Sequence, residues 1–160
     1  MRPHGGTTYS SSFAQLMTTK EKYAVLIADD DEEDRFLLKA AIQSVTPRLK
    51  VVAEVENGEQ VIAYLSGIGP YHDRQRHPFP DLLLIDLVMP VKNGFEVLEW
   101  LNTKCFPQLK VAVVSGSLED LSHRQRILRL GVQHFYSKMV NYDELLQSVK
   151  FMQDEMEMLA

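Results

Sequence analysis

From Glu21 onward the apolar positions of this chain alternate between two kinds of segment. Short runs rich in apolar residues occupy 24–27, 49–55, 82–86, 111–115 and 132–137, the length of buried strands. Each is followed by a stretch in which apolar residues recur with helical period. The first covers residues 32–45, with Phe36, Leu37, Ala40, Ala41 and Val45 on one side and Pro47 blocking its continuation. The second covers 58–65 with Val61, Ile62 and Leu65, and the third 94–102 with Phe95, Val97, Leu98 and Leu101. The fourth covers 118–130, where Ser117 and Asp120 resemble a capping box and Gly131 is a stop signal. The last opens at Asn141, with Glu144 three residues on, and its stripe continues through Leu145, Val149, Met152, Met156 and Leu159. Five strand–helix units predict an α/β fold, one parallel sheet covered by helices on both faces, with no room for a second domain.

Two segments fall outside this alternation. Residues 1–20 hold no acid, two bases and many Ser, Thr and Gly, and read as a flexible N-terminal extension to a domain spanning 21–160. The stretch 66–80, rich in Gly, Pro and His, exceeds the usual connection of about two to six residues; it is either a binding loop or plain slack, and composition alone favours slack.

Charge sharpens this picture. The chain has 160 residues, with 17 basic against 22 acidic, a net of −5. Six of the acids are consecutive, Asp29-Asp30-Asp31-Glu32-Glu33-Asp34; outside them the charges nearly balance. A chain with neither a basic excess nor a basic stripe interleaved with aromatics is not expected to bind nucleic acid or an anionic membrane surface. No apolar run approaches the roughly 20 residues of a membrane span. The first 20 residues lack a signal-peptide centre, and the lone Cys105 points to a reducing compartment, so the expected location is cytoplasmic.

In open α/β sheets ligands gather at the carboxyl ends of the strands. The first strand delivers Asp29 and Asp30 there, the third Asp86, the fourth Ser115, and the fifth Ser137 and Lys138. Converging carboxylates repel unless their pKa values rise or a cation sits among them. An oxygen-only donor set favours Mg²⁺, which takes one or two carboxylates and keeps room for phosphate oxygens. A hydroxyl and an ammonium beside it suit a phosphoryl group, with a carboxylate as its acceptor.

Together, Leu26-Ile27-Ala28-Asp29-Asp30, Asp86-Leu87-Val88-Met89-Pro90 followed by Gly94, Val113-Val114-Ser115-Gly116 and Phe135-Tyr136-Ser137-Lys138 resemble the receiver domain of two-component response regulators. The resemblance covers about residues 22–158, and Glu56-Asn57-Gly58-Glu59 also fits it. It implies a CheY-like, flavodoxin-like (βα)5 doubly wound sheet. Asp86 would be the phosphoacceptor. Asp30 would bind Mg²⁺ directly and Asp29 through water, with the Val88 carbonyl as a further ligand. Ser115 and Lys138 would contact the phosphoryl oxygens, and Ser115 and Phe135 would form the switch. Partners would be a histidine kinase or phosphotransfer protein and a downstream protein target, with a homodimer compatible. The long stretch before the third strand is similar to that of small stand-alone regulators that partner phytochrome-type kinases.

Other features have more ordinary readings. Asp31 is expected to cap the first helix, with Glu32, Glu33 and Asp34 in its first turn. His72 and His77 read as loop histidines, and His123, Arg124, Arg126 and Arg129 as a solvated face or a partner patch. Two positions depart from the family. Met139 stands where a proline commonly follows the lysine, so the peptide after Lys138 lacks the family's proline. Val88 offers no polar group to orient a hydrolytic water, which suggests a long-lived phospho-form.

Three rivals use parts of the same chemistry. A haloacid dehalogenase-type phosphatase needs a second Asp where Val88 stands. A flavodoxin-like flavin binder needs Ser, Thr or Gly donors where the acid run lies. A degenerate receiver would bind partners without phosphorylation. The expected protein is therefore not an enzyme but a signalling module.

Overall fold

The computed structural model describes residues 20–138 and 140–158, and the strand–helix alternation is present throughout. In chain order the elements are β1 (Tyr23–Ala28), α1 (Glu32–Val45), β2 (Leu49–Val55), α2 (Gly58–Ser66), β3 (Leu82–Ile85), α3 (Gly94–Asn102), β4 (Lys110–Ser115), α4 (Leu121–Arg129), β5 (His134–Ser137) and α5 (Tyr142–Met158). All strand pairs are parallel, in the order β2-β1-β3-β4-β5. Strand order therefore reverses between β1 and β3, and the crevice beyond their carboxyl ends is the place where such sheets bind ligands.

The apolar runs are explained by two cores, one on each side of the sheet. On one side Leu26, Ala28, Leu83, Ile85 and Val113 pack with Val61, Tyr64, Val97, Leu98 and Ile127 of α2, α3 and α4. On the other, Val25, Ile27, Leu82, Leu84, Ala112 and Val114 meet Leu38, Ala41 and Ile42 of α1 and Val149, Met152 and Met156 of α5. Every residue of β3 is buried, because both of its faces are covered.

Helix termini follow their local chemistry. The Asp31 side chain accepts from the Glu33 and Asp34 amides, and three acids occupy the first turn of α1, where the helix dipole favours them. Asn141 and Glu144 are joined by the Glu144 amide, which donates to Asn141 Oδ1 at 3.0 Å. Gly131 adopts φ 83° after α4, with its amide bonded to the Leu128 carbonyl and that of Val132 to Ile127.

Two readings need correction. Helix α4 starts at Leu121 rather than 118, because Asp120 is the cap: its carboxylate accepts from the Ser122 amide at 2.8 Å. Ser117 turns back to Ser115 instead. Second, the 66–80 stretch is ordered rather than slack. Gly69–Tyr71 form a short 3-10 turn, and the Arg74 guanidinium donates to the carbonyls of Tyr64 and Leu65 in the last turn of α2 and to that of His77. The His77 ring meets Tyr64 and Tyr71 edge to face, those two rings are tilted against each other, and the Tyr64 hydroxyl donates to the Pro78 carbonyl. Lys20, the last residue of the expected extension, is ion-paired with Asp81. The rest of that extension, Met139 and Leu159 lie outside the described residues.

Val91 carries local strain. It is the one non-glycine among the described residues with positive φ, at 65°, and it is β-branched and 69% exposed. The left-handed region costs an L-residue about 1–2 kcal/mol, and Asn tolerates it. Val91→Asn is expected to raise stability by about 0.5–1 kcal/mol, read as a higher urea midpoint with an unchanged slope.

Candidate functional site

The carboxyl edge of the sheet brings three acids and one base together. Asp29 and Asp30 follow β1, Asp86 follows β3, and Lys138 follows β5. Asp29 and Asp86 are buried, at 4% and 6% exposure, whereas Asp30 faces solvent. One ligand oxygen from each of Asp29, Asp30 and Asp86 lies within 4.8 Å of the other two. With metal–oxygen bonds of about 2.0–2.1 Å, an octahedral Mg²⁺ shell has oxygens about 3–4 Å apart, and these three carboxylates are the residues that could hold a cation of that kind. The donor set is all oxygen, and one of its members is open to water, as a hydrated divalent cation requires.

Lys138 is the counter-charge. Its ammonium lies 2.5 Å from Asp29 Oδ2, 3.0 Å from Asp86 Oδ2 and 2.9 Å from Asp34 Oδ2. Burial works against its charge, but hydrogen bonds to Asp29, Asp34 and Asp86 outweigh that cost and hold the ammonium well above the ordinary lysine range. Burial also pushes the Asp29 carboxyl up, opposed by the Lys138 hydrogen bond and the Asp31 amide. Asp86 Oδ1 accepts from the Val88 amide at 3.3 Å.

Two close backbone approaches shape the Asp86 loop. The Gly94 amide donates to the Leu87 carbonyl at 2.9 Å, and a Cβ at Gly94 would collide with the Asp86 carbonyl oxygen and Leu87 Cα. Gly58 similarly abuts the Lys92 carbonyl and donates to it at 2.8 Å. Val88 lies at the mouth, 63% exposed.

Ser115 is fully buried at the end of β4, next to the cluster, and its carbonyl accepts from the Lys138 amide at 3.2 Å. Its hydroxyl is 3.2 Å from Ser117 Oγ. Phe135 points to the other side of the sheet from Tyr136, into the core shared with α2, α3 and α4. Burial pushes the Tyr136 phenol up to about 12, with the Glu155 charge adding to the effect.

The basic residues of α4 are more than a solvated face. Arg124 donates to the Leu118 carbonyl and lies over the Phe135 ring at 5.8 Å, while Arg126 lies over Phe95 at 4.2 Å. His123 packs on Phe95 and contacts the Ser117 carbonyl. Sequence patterning had no means of finding Asp34 as a Lys138 partner, because the two are 104 residues apart and Asp34 also fits its role as a first-turn acid.

An acid pair and a third carboxylate at the switch point, with a lysine from the last strand, define a receiver. The chain belongs to the response regulator receiver domain family, whose model matches residues 25–150. Among curated relatives it is similar to the nitrate/nitrite response regulator protein NarL of Escherichia coli, 31% identical over 83% of this chain and 56% of that protein. It is also similar to the transcriptional regulatory protein DegU of Brevibacillus brevis, 29% identical over 82% and 50%. The chain thus spans about half the length of these relatives. Among solved structures it resembles the phosphorylated cyanobacterial phytochrome response regulator RcpA, with a TM-score of 0.73 and 29% identity, covering 87% of this chain and 96% of that one. Response regulator RPA3017 in red light signaling of R. palustris gives a TM-score of 0.70 at 26% identity, over 81% and 90%. Among the described residues no helix is long and apolar enough to cross a membrane.

Proposed function

We propose that this chain is a single-domain response regulator in which Asp86 accepts a phosphoryl group from a histidine kinase or phosphotransfer protein in a Mg²⁺-dependent reaction. The observation that carries the reading is the Lys138 ammonium shared between Asp86 and Asp29, with Asp30 completing a three-carboxylate cation site. The phosphorylated state named for RcpA supports phosphoryl acceptance at this site. The likeness to RcpA and RPA3017 also favours a phytochrome-type kinase as the donor.

In the reaction an Asp86 oxygen attacks phosphorus as the phosphorus–nitrogen bond of the donor's phosphohistidine breaks. The electron pair leaves on the imidazole nitrogen, which then takes a proton. When bound, Mg²⁺ would neutralise charge on the phosphoryl oxygens; Asp29, Asp30, Asp86 and the Val88 carbonyl would hold it. Lys138 neutralises a further oxygen, and Ser115 turns from Ser117 to donate to another. That turn draws the 116–120 loop inward and repacks Phe135 with Arg124, which carries the change to the α4 surface that a protein target reads. With Val88 apolar and no second acid at its position, the acyl phosphate is long-lived and catalytic turnover of free phosphate esters is disfavoured.

Intact mass after incubation with acetyl phosphate tests this reading. A single phosphoryl adduct is expected with Mg²⁺, none with a chelator, and hydroxylamine should remove the adduct because it attacks the acyl carbon. Failure to form an adduct from either the small donor or a histidine kinase would leave a module that binds partners without phosphorylation.

A further inference from the structure

An ammonium group has three N–H donors. In Lys138 all three have carboxylate partners, Asp29, Asp34 and Asp86. A phosphoryl oxygen on Asp86 needs one of those donors, so one carboxylate has to let go. Asp29 is 6% exposed in its side chain and belongs to the proposed cation site, and Asp86, taking the phosphoryl group on Oδ1, keeps Oδ2 as a carbonyl acceptor for Lys138. The Asp34 side chain is 38% exposed, comes from the first turn of α1 and lies outside the three-carboxylate group. Returning its carboxylate to water therefore costs the least of the three.

We propose that Asp34 is a positioning residue that holds Lys138 in the unphosphorylated state and competes with the incoming phosphoryl group for its third donor. The proposal rests on the phosphoacceptor reading of Asp86. While the site is unphosphorylated, Asp34 ties the β5–α5 connection to α1 and keeps the ammonium directed into the cluster. During phosphoryl transfer its carboxylate gives way to a phosphoryl oxygen and turns to solvent. No bond other than the hydrogen bond is exchanged. The consequence is a brake: the negative charge that places Lys138 also slows arrival of another anion.

The test compares the initial rate of adduct formation from acetyl phosphate, with saturating Mg²⁺, in the wild type, Asp34→Asn and Asp34→Glu. Asp34→Asn keeps the shape but loses the charge, and is expected to accelerate adduct formation about three- to tenfold, the effect of one charge-assisted contact of intermediate exposure. Asp34→Glu keeps the anion and should stay near the wild-type rate. A melting temperature measured alongside separates this role from a purely structural one. Loss of a first-turn acid lowers stability slightly and would, acting by structure alone, slow the reaction rather than speed it. Equal or slower phosphorylation of Asp34→Asn, with a normal wild-type adduct, overturns the proposal while leaving the phosphoacceptor reading intact. Absence of an adduct on the wild type overturns both.

Discussion

Lys138→Met should destabilise the protein by about 2–3 kcal/mol at neutral pH without divalent cation, and millimolar Mg²⁺ should recover much of that loss. Met keeps the length and apolar stem of lysine but removes the ammonium from among Asp29, Asp34 and Asp86. Two of those carboxylates are buried and would be left without a counter-charge; breaking a buried pair from one side costs about 3–5 kcal/mol, reduced here by the solvent access that Asp34 and Asp30 provide. The wild type should gain less from Mg²⁺ than the variant, because Lys138 already offsets part of the repulsion. Urea unfolding of both proteins, with Mg²⁺ and with chelator, measures the difference directly. Equal Mg²⁺ stabilisation of the two would show that the lysine and the cation do not act on the same carboxylates.

Gly94→Ala is expected to have a comparable effect for an unrelated reason. Gly94 has no left-handed φ to excuse it; its backbone simply lies against the peptide that follows Asp86, and a methyl group would overlap the Asp86 carbonyl oxygen and Leu87 Cα. Those are backbone atoms held on one side by β3 and on the other by the Gly94–Leu87 hydrogen bond, so they cannot step aside as a flexible side chain would. Overpacking at such a position costs about 1–3 kcal/mol, and more where backbone must move. The variant should unfold at lower urea and, because the displaced atoms belong to Asp86 itself, also lose most of its phosphoryl acceptance. Full retention of the wild-type midpoint would contradict the close approach.

The sequence reveals the fold as far as burial leaves a pattern. Leu82 to Ile85 and Val111 to Val114 read as strands because both faces are covered, and Asp31 and Asn141 read as caps because the preference is local. Local chemistry also misleads. Ser117 and Asp120 make a plausible capping pair, yet Ser117 is drawn to Ser115 and Asp120 alone caps α4. The 66–80 stretch looked loose by composition because its order comes from one side chain, Arg74, reaching carbonyls at the end of α2.

Within the site, Asp29, Asp30, Asp86 and Lys138 were legible because each follows a strand, and a parallel sheet collects strand ends along one edge. The Asp34–Lys138 contact was not, since nothing in either neighbourhood of the chain indicates a partner 104 residues away. The same is true of Arg124 over Phe135, which depends on how α4 packs beside β5. Val91 escaped for a different reason: left-handed backbone is read from glycine or asparagine, and a valine there gives no sign of it.

The central claim is chemical, that Asp86 and no other residue carries the phosphoryl group. Borohydride reduces an acyl phosphate to the alcohol, which would turn a phosphorylated aspartate into homoserine at its own position. Peptide mapping after acetyl phosphate, Mg²⁺ and borohydride is predicted to find homoserine at position 86 alone, and Asp86→Asn should show neither adduct nor reduced residue. Homoserine at Asp29, Asp30 or Asp34, or a phosphoryl group that persists in Asp86→Asn, would contradict the account.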